Sequence, residues 1–132
     1  MRILLAHNFY RHAGGEDAVF ANEGELLAAH GHDVREFTVA NDAIAGPLGA
    51  FRTAMEAPYS VRSRRHMASA LAEYAPDLVH VHNFFPLLTP SIFDACRDAR
   101  VASVMTLHNY RLICPAATLY RSGNVCEECV MG

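Results

Sequence analysis

The sequence predicts an α/β protein in which helices cover both faces of a doubly wound parallel sheet. The apolar run at residues 3–5 does not alternate with polar residues, which is typical of a strand buried on both faces. Further strand-forming runs and helical segments follow in the order β, α, β, α, α, β, α, β, which indicates parallel strands joined by crossover helices. The 132 residues fit a single domain, 1–132, that can bury a core without disulfides.

The first strand is predicted at residues 1–6 and the first helix at 16–30. The helix carries apolar residues at a seven-residue spacing, and Gly31 ends it. These apolar residues are Val19, Phe20, Leu26 and Leu27.

A polar loop at residues 7–17 joins this strand to this helix, and Gly14 and Gly15 stand directly before the helix. Free amide groups and the positive end of the helix dipole favour an anion such as phosphate there. Glycine also lets a backbone approach such a ligand closely. A plain strand-to-helix turn explains the loop equally well.

The later elements follow from strand-forming runs and helix start signals. Ser60 is a typical N-cap residue, and Thr89 before Pro90 combines a cap with proline at the first helical position. Cys96 falls on the apolar side of its helix and is predicted to be a core residue. The predicted elements are a strand at 33–39, helices at 48–57 and 61–74, a strand at 77–83, a helix at 90–99 and a strand at 101–107.

Composition excludes several classes of protein. A formal net charge of −3 gives no general attraction to nucleic acid, and the basic residues at 62–66 fit a solvated helix face. No apolar stretch is long enough for a membrane span or a secretory signal. We therefore expect a cytoplasmic protein whose four cysteines are reduced.

Polar residues stand where two later strands are predicted to end, namely His82 with Asn83 and His108 with Asn109. The carboxyl ends of parallel strands meet at one edge of a sheet, where ligands of such folds bind. Together with the glycine loop they predict a ligand site. The glycine motifs of dinucleotide-binding, P-loop and hydrolase-elbow proteins are absent from the sequence.

A zinc-dependent hydrolase that uses His80, His82 and His108 is the rival interpretation. Alternate strand residues point to the same face, and imidazoles bind zinc. Against it, Asp77 is the only carboxylate near these histidines along the sequence, and it lies at the far end of its strand.

The chain resembles the N-terminal half of a family 4 glycosyltransferase of the GT-B architecture, with its Rossmann-like domains. The resemblance covers essentially the whole chain. It is carried by the opening strand with Gly14-Gly15-Glu16, by Leu27-Ala28-Ala29-His30-Gly31-His32-Asp33-Val34, by Pro76-Asp77-Leu78-Val79-His80-Val81-His82-Asn83 and by Thr106-Leu107-His108-Asn109-Tyr110.

The resemblance implies retaining transfer of a sugar from a nucleotide-sugar donor to a sugar or lipid acceptor, without a required metal or other cofactor. By the same resemblance, Gly14 and Gly15 lie near the donor phosphates and the acceptor, His82 lines the cleft wall, and His108 faces the transferred sugar. The predicted substrate-binding residues are Gly14, Gly15, Glu16, His82, Asn83 and Asn109, and the predicted catalytic residue is His108.

The chain stops inside an apparent loop at residues 130–132, and the resemblance predicts a further, donor-binding domain with no counterpart here. We therefore expect a truncated domain that is inactive alone and self-associates through exposed apolar surface, while its parent associates peripherally with a membrane. A non-catalytic module that binds a nucleotide or a sugar is the third interpretation.

A cysteine-containing loop is predicted at residues 111–132. Cys126 and Cys129 form a C-x-x-C pair, and Cys114 is a third thiol, so the three could hold a structural zinc if a fourth ligand were supplied. Reduced thiols in a loop explain the pattern equally well.

Overall fold

The computed structural model of the chain describes residues 1–12 and 14–130. Its main sheet has four parallel strands in the order β2-β1-β3-β4. The strands are β1 (Arg2–Phe9), β2 (Asp33–Ala40), β3 (Leu78–Asn83) and β4 (Ala102–Met105), and the helices are α1 (Gly15–Ala29), α2 (Gly46–Glu56), α3 (Val61–Tyr74) and α4 (Ser91–Ala99). The predicted α/β parallel sheet is confirmed.

The two faces of this sheet carry cores of different size. Successive strand residues point to opposite faces. Leu4 and Ala6 of β1, with Val79 and Val81 of β3, pack in a large buried cluster that includes α3 and α4. On the other face, a small cluster among the described residues contains the buried Ile3, Leu5 and Phe20, the last of which comes from α1.

Two predicted strand ends were wrong. β1 continues through residues 7–9, which pair in register with residues 38–40 of β2, so the predicted loop begins three residues too early. Conversely β4 ends at Met105, although Thr106 still donates its amide hydrogen to the carbonyl oxygen of Val81 at 3.0 Å. In the described sheet, β4 pairs with one strand, β3.

The predicted apolar stripe of α1 was half wrong. Val19 and Leu26 are 42% and 57% exposed, whereas Phe20 is buried. The side that faces the sheet follows a spacing of three and four residues from Phe20. Gly24 lies on it, where an added Cβ would be 3.3 Å from Cδ1 of Leu5, and Leu27 packs against the small cluster.

The helix starts differ in how well they were predicted. Ser60 caps α3 as expected, since its hydroxyl accepts the amide hydrogen of Ser63 at 3.3 Å. α4 begins at Ser91 rather than at Pro90, which is the residue before the helix.

The predicted cysteine loop contains a hairpin that was missed. Its strands are β5 (Tyr120–Arg121) and β6 (Asn124–Val125), joined by Ser122 and Gly123. Both joining residues have a positive φ, of 51° and 83°, as tight two-residue hairpins require. Ala13 of the predicted glycine loop and residues 131–132 of the cysteine loop lie outside the described residues.

Candidate active site

The strand order changes direction at β1, because β2 lies on one side of it and β3 on the other. Ligands of open α/β sheets bind beyond the carboxyl ends of the strands at such a point. The pairing of β1 with β3 is irregular there, since Ala6 pairs with Val81 but His7 pairs with Asn83. His82 is thus an extra residue in its strand, a bulge of the kind that re-aims side chains beside functional sites.

Three histidines from three strand ends form a row at this edge. The rings of His7 and His82 lie 6.4 Å apart, and those of His82 and His108 stack at 5.4 Å. One of the latter two imidazoles donates an N–H to the other, between Nδ1 of His82 and Nε2 of His108, at 3.2 Å. The structure therefore brings together the two predicted site histidines, His82 and His108, and adds His7 to them.

His82 is held in its neutral form. Its side chain is fully buried. Burial is the largest cause that lowers the pKa of His82 from 6.5 to about 4, and the neighbouring His80, His108 and His7 lower it further. At pH 7 the imidazole is accordingly uncharged and can offer a lone pair.

His7 links the end of β1 to the start of α1. Its Nε2 lies 2.8 Å from Oδ1 of Asp17, and its ring stacks on Phe20 at 4.8 Å. The other oxygen of Asp17, Oδ2, accepts the amide hydrogen of Gly14 at 2.9 Å. This chain of contacts fixes the helix N-terminus against the edge of the sheet.

Gly14, Gly15 and Glu16 occupy the position expected of them, at the start of α1. Gly14 precedes the helix with an extended φ of −123°, and Gly15 is its first residue. A positive φ is recorded at Gly31, Gly46 and Gly123 but not at Gly14 or Gly15, so backbone strain is no reason for glycine here. Glu16 and Asp17 place two carboxylates in the first turn, and a bound phosphate would have to be accommodated beside them.

The side chains of Asn83 and its neighbour Asn8 form hydrogen bonds with backbone groups of nearby residues. The side-chain Nδ2 of Asn83 donates to the backbone carbonyl oxygen of Asn8 at 2.8 Å, and its Oδ1 accepts the backbone amide hydrogen of Phe85 at 3.0 Å. Asn8 accepts the amide hydrogen of Leu87 at 2.9 Å and donates to the side chain of Asn41, also at 2.9 Å. Both are buried, so they fasten the segment after β3 to the end of β1.

Asn109 lies beside His108 in the turn after β4, where its side-chain oxygen accepts the amide hydrogen of Arg111 at 3.0 Å. His82, His108 and Asn109 line a cavity of about 20 Å³ together with aromatic and apolar neighbours. Such a volume accommodates about one water molecule. The histidine pair therefore forms a wall rather than a pocket for a whole substrate.

The expectation that Asp77 is the only carboxylate near His80, His82 and His108 was wrong, because Glu23 lies beside His80 and His82. It reaches from α1 so that Oε1 is 2.9 Å from Nδ1 of His80 and Oε2 is 3.6 Å from Nε2 of His82. Nε2 of His80 lies 2.8 Å from the hydroxyl of Thr106. Asp77, in contrast, accepts the backbone amide hydrogen of Arg2 at the opposite edge of the sheet.

Sequence reasoning missed the roles of His7, Asp17, Glu23 and Thr106. Asp17 and Glu23 stand three residues before and after Phe20, on the same side of α1. The identification of Phe20 as a core residue was the signal that could have revealed both.

The cysteines separate into a core thiol and a tail. Burial raises the pKa of Cys96 to about 11, which agrees with its predicted place in the core. In the tail Cys114 is buried, Cys126 is half-buried and Cys129 is exposed, and all are free thiols. Among the described residues, the three tail thiols do not form a group whose sulfur atoms all lie within 4.8 Å of one another.

This fold and site define the class of protein. The parallel sheet, the glycines at the start of α1 and the polar residues at the strand switch are features of α/β folds in which ligands bind beyond the carboxyl ends of the strands. The model of the glycosyl transferase 4-like domain matches residues 14–128, so the chain belongs to that family. Neither the search of curated proteins nor the search of solved structures returned a match.

Proposed function

We propose that this chain is the acceptor-side half of a retaining glycosyltransferase that moves a sugar from a nucleotide-sugar donor to a sugar or lipid acceptor. The observation that supports the proposal most is the row of His7, His82 and His108 at the strand switch, in a chain of the glycosyl transferase 4-like family. Glycosyl transfer follows from the family, and the donor, the stereochemistry and the residue roles are proposed.

His108 is the proposed catalytic residue. Its ring is held by the buried His82, while His108 itself is half-buried and so partly accessible. In the proposed reaction the leaving diphosphate takes the acceptor proton, so the protein positions the reactants and stabilises developing charge. An imidazole N–H pointing from His108 towards the transferred sugar would serve that purpose.

The donor is proposed to bind mainly to a second domain. The cavity of about 20 Å³ beside His82 and His108 is far too small for a nucleotide sugar. We therefore expect this chain alone to show no turnover and only weak donor affinity. Calorimetry with a panel of nucleotide sugars checks this, and micromolar binding by the isolated chain would contradict the division between two domains.

The acceptor is proposed to enter from the side of α2. A cavity of about 470 Å³ lies beyond the end of β2 between α2 and α3, and its polar lining can bind hydroxyl or phosphate groups. That lining includes Arg52, Thr53, Arg62, Ser63 and His66. A larger groove of about 650 Å³ between α3 and α4 reaches Pro76 and Val101, at the opposite edge of the sheet.

A lipid acceptor would require access to a membrane surface. Leu48, Phe51 and Met55 lie on one side of α2 and are 80%, 65% and 69% exposed. We propose that this side of α2 contacts the bilayer interface in the parent protein. Within the described part of the chain, no helix is long and apolar enough to cross a bilayer.

Self-association of the isolated chain is proposed along β4, the outermost strand on one side of the described sheet. β4 is an edge strand, and Val104 on it is 46% exposed. Exposed edges with apolar side chains pair readily. A strictly monomeric species in light scattering at high concentration would contradict this.

Glycosyl transfer is tested in a protein that carries this chain together with a donor-binding domain. His108→Ala should lower turnover by about 10²–10³-fold while donor binding changes less, as expected for a group that stabilises developing charge. His30→Ala, at the far end of α1, is the matched control and should leave turnover unchanged.

The two rival functions give different results in the same experiment. A zinc-dependent hydrolase using His80, His82 and His108 would release free sugar without an acceptor and stop when a chelator is added. A non-catalytic nucleotide or sugar-binding module would bind ligand with no turnover in any variant. Either result would overturn the transferase proposal.

A further inference from the structure

Glu23, His80 and His82 form a cluster of possible metal ligands beside the proposed site, and one of them, His82, also holds the ring of His108. The two histidines alternate along β3 and so point to the same face of the sheet, towards α1, from which Glu23 extends. One ligand atom from each of the three lies within 4.8 Å of the others. We infer that these three residues bind a divalent transition metal of the zinc class.

The contacts of Glu23 with the two histidines are close to the separations expected in a tetrahedral zinc site. Bonds of about 2.0–2.1 Å at tetrahedral angles place neighbouring ligand atoms roughly 3.3 Å apart. Glu23 Oε1 lies 2.9 Å from Nδ1 of His80, and Glu23 Oε2 lies 3.6 Å from Nε2 of His82. These two distances, which involve different oxygens of the carboxylate, fall on either side of that value, and one ligand atom of each residue lies within 4.8 Å of the others.

Nε2 of His82 points independently to a ligand. Its side chain is fully buried, and this nitrogen is one of three buried side-chain polar atoms without a hydrogen-bond partner among the described residues. A buried polar atom without a partner costs free energy that a metal bond would recover. It faces Glu23, on the side where the metal is proposed.

The second nitrogen of each imidazole already has the partner that a metal ligand needs. Nε2 of His80 can donate to the hydroxyl of Thr106 at 2.8 Å, and Nδ1 of His82 can donate to Nε2 of His108 at 3.2 Å. Such hydrogen bonds fix the tautomer in which the other nitrogen carries the lone pair.

The metal would have a positioning role. It would fasten α1, which carries Gly14 and Gly15, to β3, and it would fix the His82 tautomer that donates to His108. His80 and Glu23 are each partly exposed, at 12% and 29% of their side chains, which leaves a path for the metal and an open fourth position.

Metal binding is tested on the chain after dialysis against a chelator. Zn²⁺ in calorimetry should bind with a stoichiometry of one. Co²⁺ should give the absorption of a four-coordinate nitrogen and oxygen site without a sulfur charge-transfer band. Glu23→Gln and His80→Ala should abolish this binding, while Glu25→Gln on the exposed side of α1 and His30→Ala should retain it.

Two further variants keep the test decisive if His80→Ala fails to fold. Thr106→Val keeps all three ligands and should weaken Zn²⁺ binding by about 10–100-fold, as loss of an outer hydrogen bond does. Cys126→Ser with Cys129→Ser should leave binding unchanged. The inference is overturned if the wild-type chain binds no equivalent of Zn²⁺, if Glu23→Gln binds it equally well, or if only the thiol variant loses it.

Discussion

The two faces of the sheet are built from the same strands, yet they differ in what they bury. The face towards α3 and α4 holds most of the apolar core, including Leu4, Val79 and Val81. The face towards α1 buries three apolar residues, followed at the strand ends by His7 and His82. The face with the larger core supplies stability, and the face towards α1 supplies titratable groups.

The same alternation separates the polar residues at the strand ends. His7 follows Leu5 on the α1 face, and Asn8 follows Ala6 on the other. The histidine binds the carboxylate of Asp17 on α1, while the asparagine binds the backbone of Leu87 and the side chain of Asn41. Residues next to each other in sequence therefore have different tasks, which the predictions below separate.

The largest expected effect on stability is on the face towards α3 and α4, which has the larger core. Leu4→Ala removes a fully buried side chain and should lower the free energy of unfolding by about 2–5 kcal/mol. Leu26→Ala on α1 makes the same change at a side chain that is 57% exposed, and it should cost less than about 0.5 kcal/mol. Chemical denaturation checks both, and equal losses would contradict the comparison.

A smaller effect is expected at Asn8. Asn8→Ala removes a fully buried side chain and leaves the partly buried amide hydrogen of Leu87 without a partner, which should cost about 1–3 kcal/mol. The control is Asn124→Ala in the exposed hairpin, which should change stability by less than about 0.5 kcal/mol. Hydrogen exchange at Leu87 should accelerate in the first variant and not in the second.

The smallest effect on stability is expected at Gly15. An added Cβ there meets no atom within 4 Å, and the residue begins a helix, so Gly15→Ala should be neutral or stabilise by less than about 1 kcal/mol. If ligand phosphate approaches this backbone, affinity should fall nonetheless. Weakened donor or acceptor binding in calorimetry with unchanged stability would assign the glycine to binding, and unchanged affinity would remove it from the site.

The parts of the fold that were predicted carry local signals. Ser60 marked the start of α3 because its hydroxyl caps the helix, and the β-rich run marked β3 to within one residue. The approach of His82 to His108 could be expected because His82 lies at the end of β3 and His108 follows β4, and these parallel strands are neighbours in the sheet.

The parts that were missed depend on contacts between distant segments. His7 and Asn8 look like loop residues in the sequence, yet they lie within β1, where Asp17 binds Nε2 of His7 and the backbone amide of Leu87 binds Oδ1 of Asn8. Glu23 can be placed beside the histidines only if the side of α1 that faces the sheet is known, and the buried Phe20 defines that side. The seven-residue spacing chosen for α1 concealed that face, because it gave Val19 and Leu26 equal weight with Phe20.

The most direct test of the account measures turnover and stability together for His108→Ala and Asn8→Ala, in a protein that includes a donor-binding domain. His108→Ala should lower turnover about 10²–10³-fold with a stability change within about 1 kcal/mol. Asn8→Ala should lower stability by about 1–3 kcal/mol and leave turnover within a few-fold at temperatures where it is folded. If Asn8→Ala abolished turnover while His108→Ala left it unchanged, the assignment of chemistry to the α1 face would be contradicted.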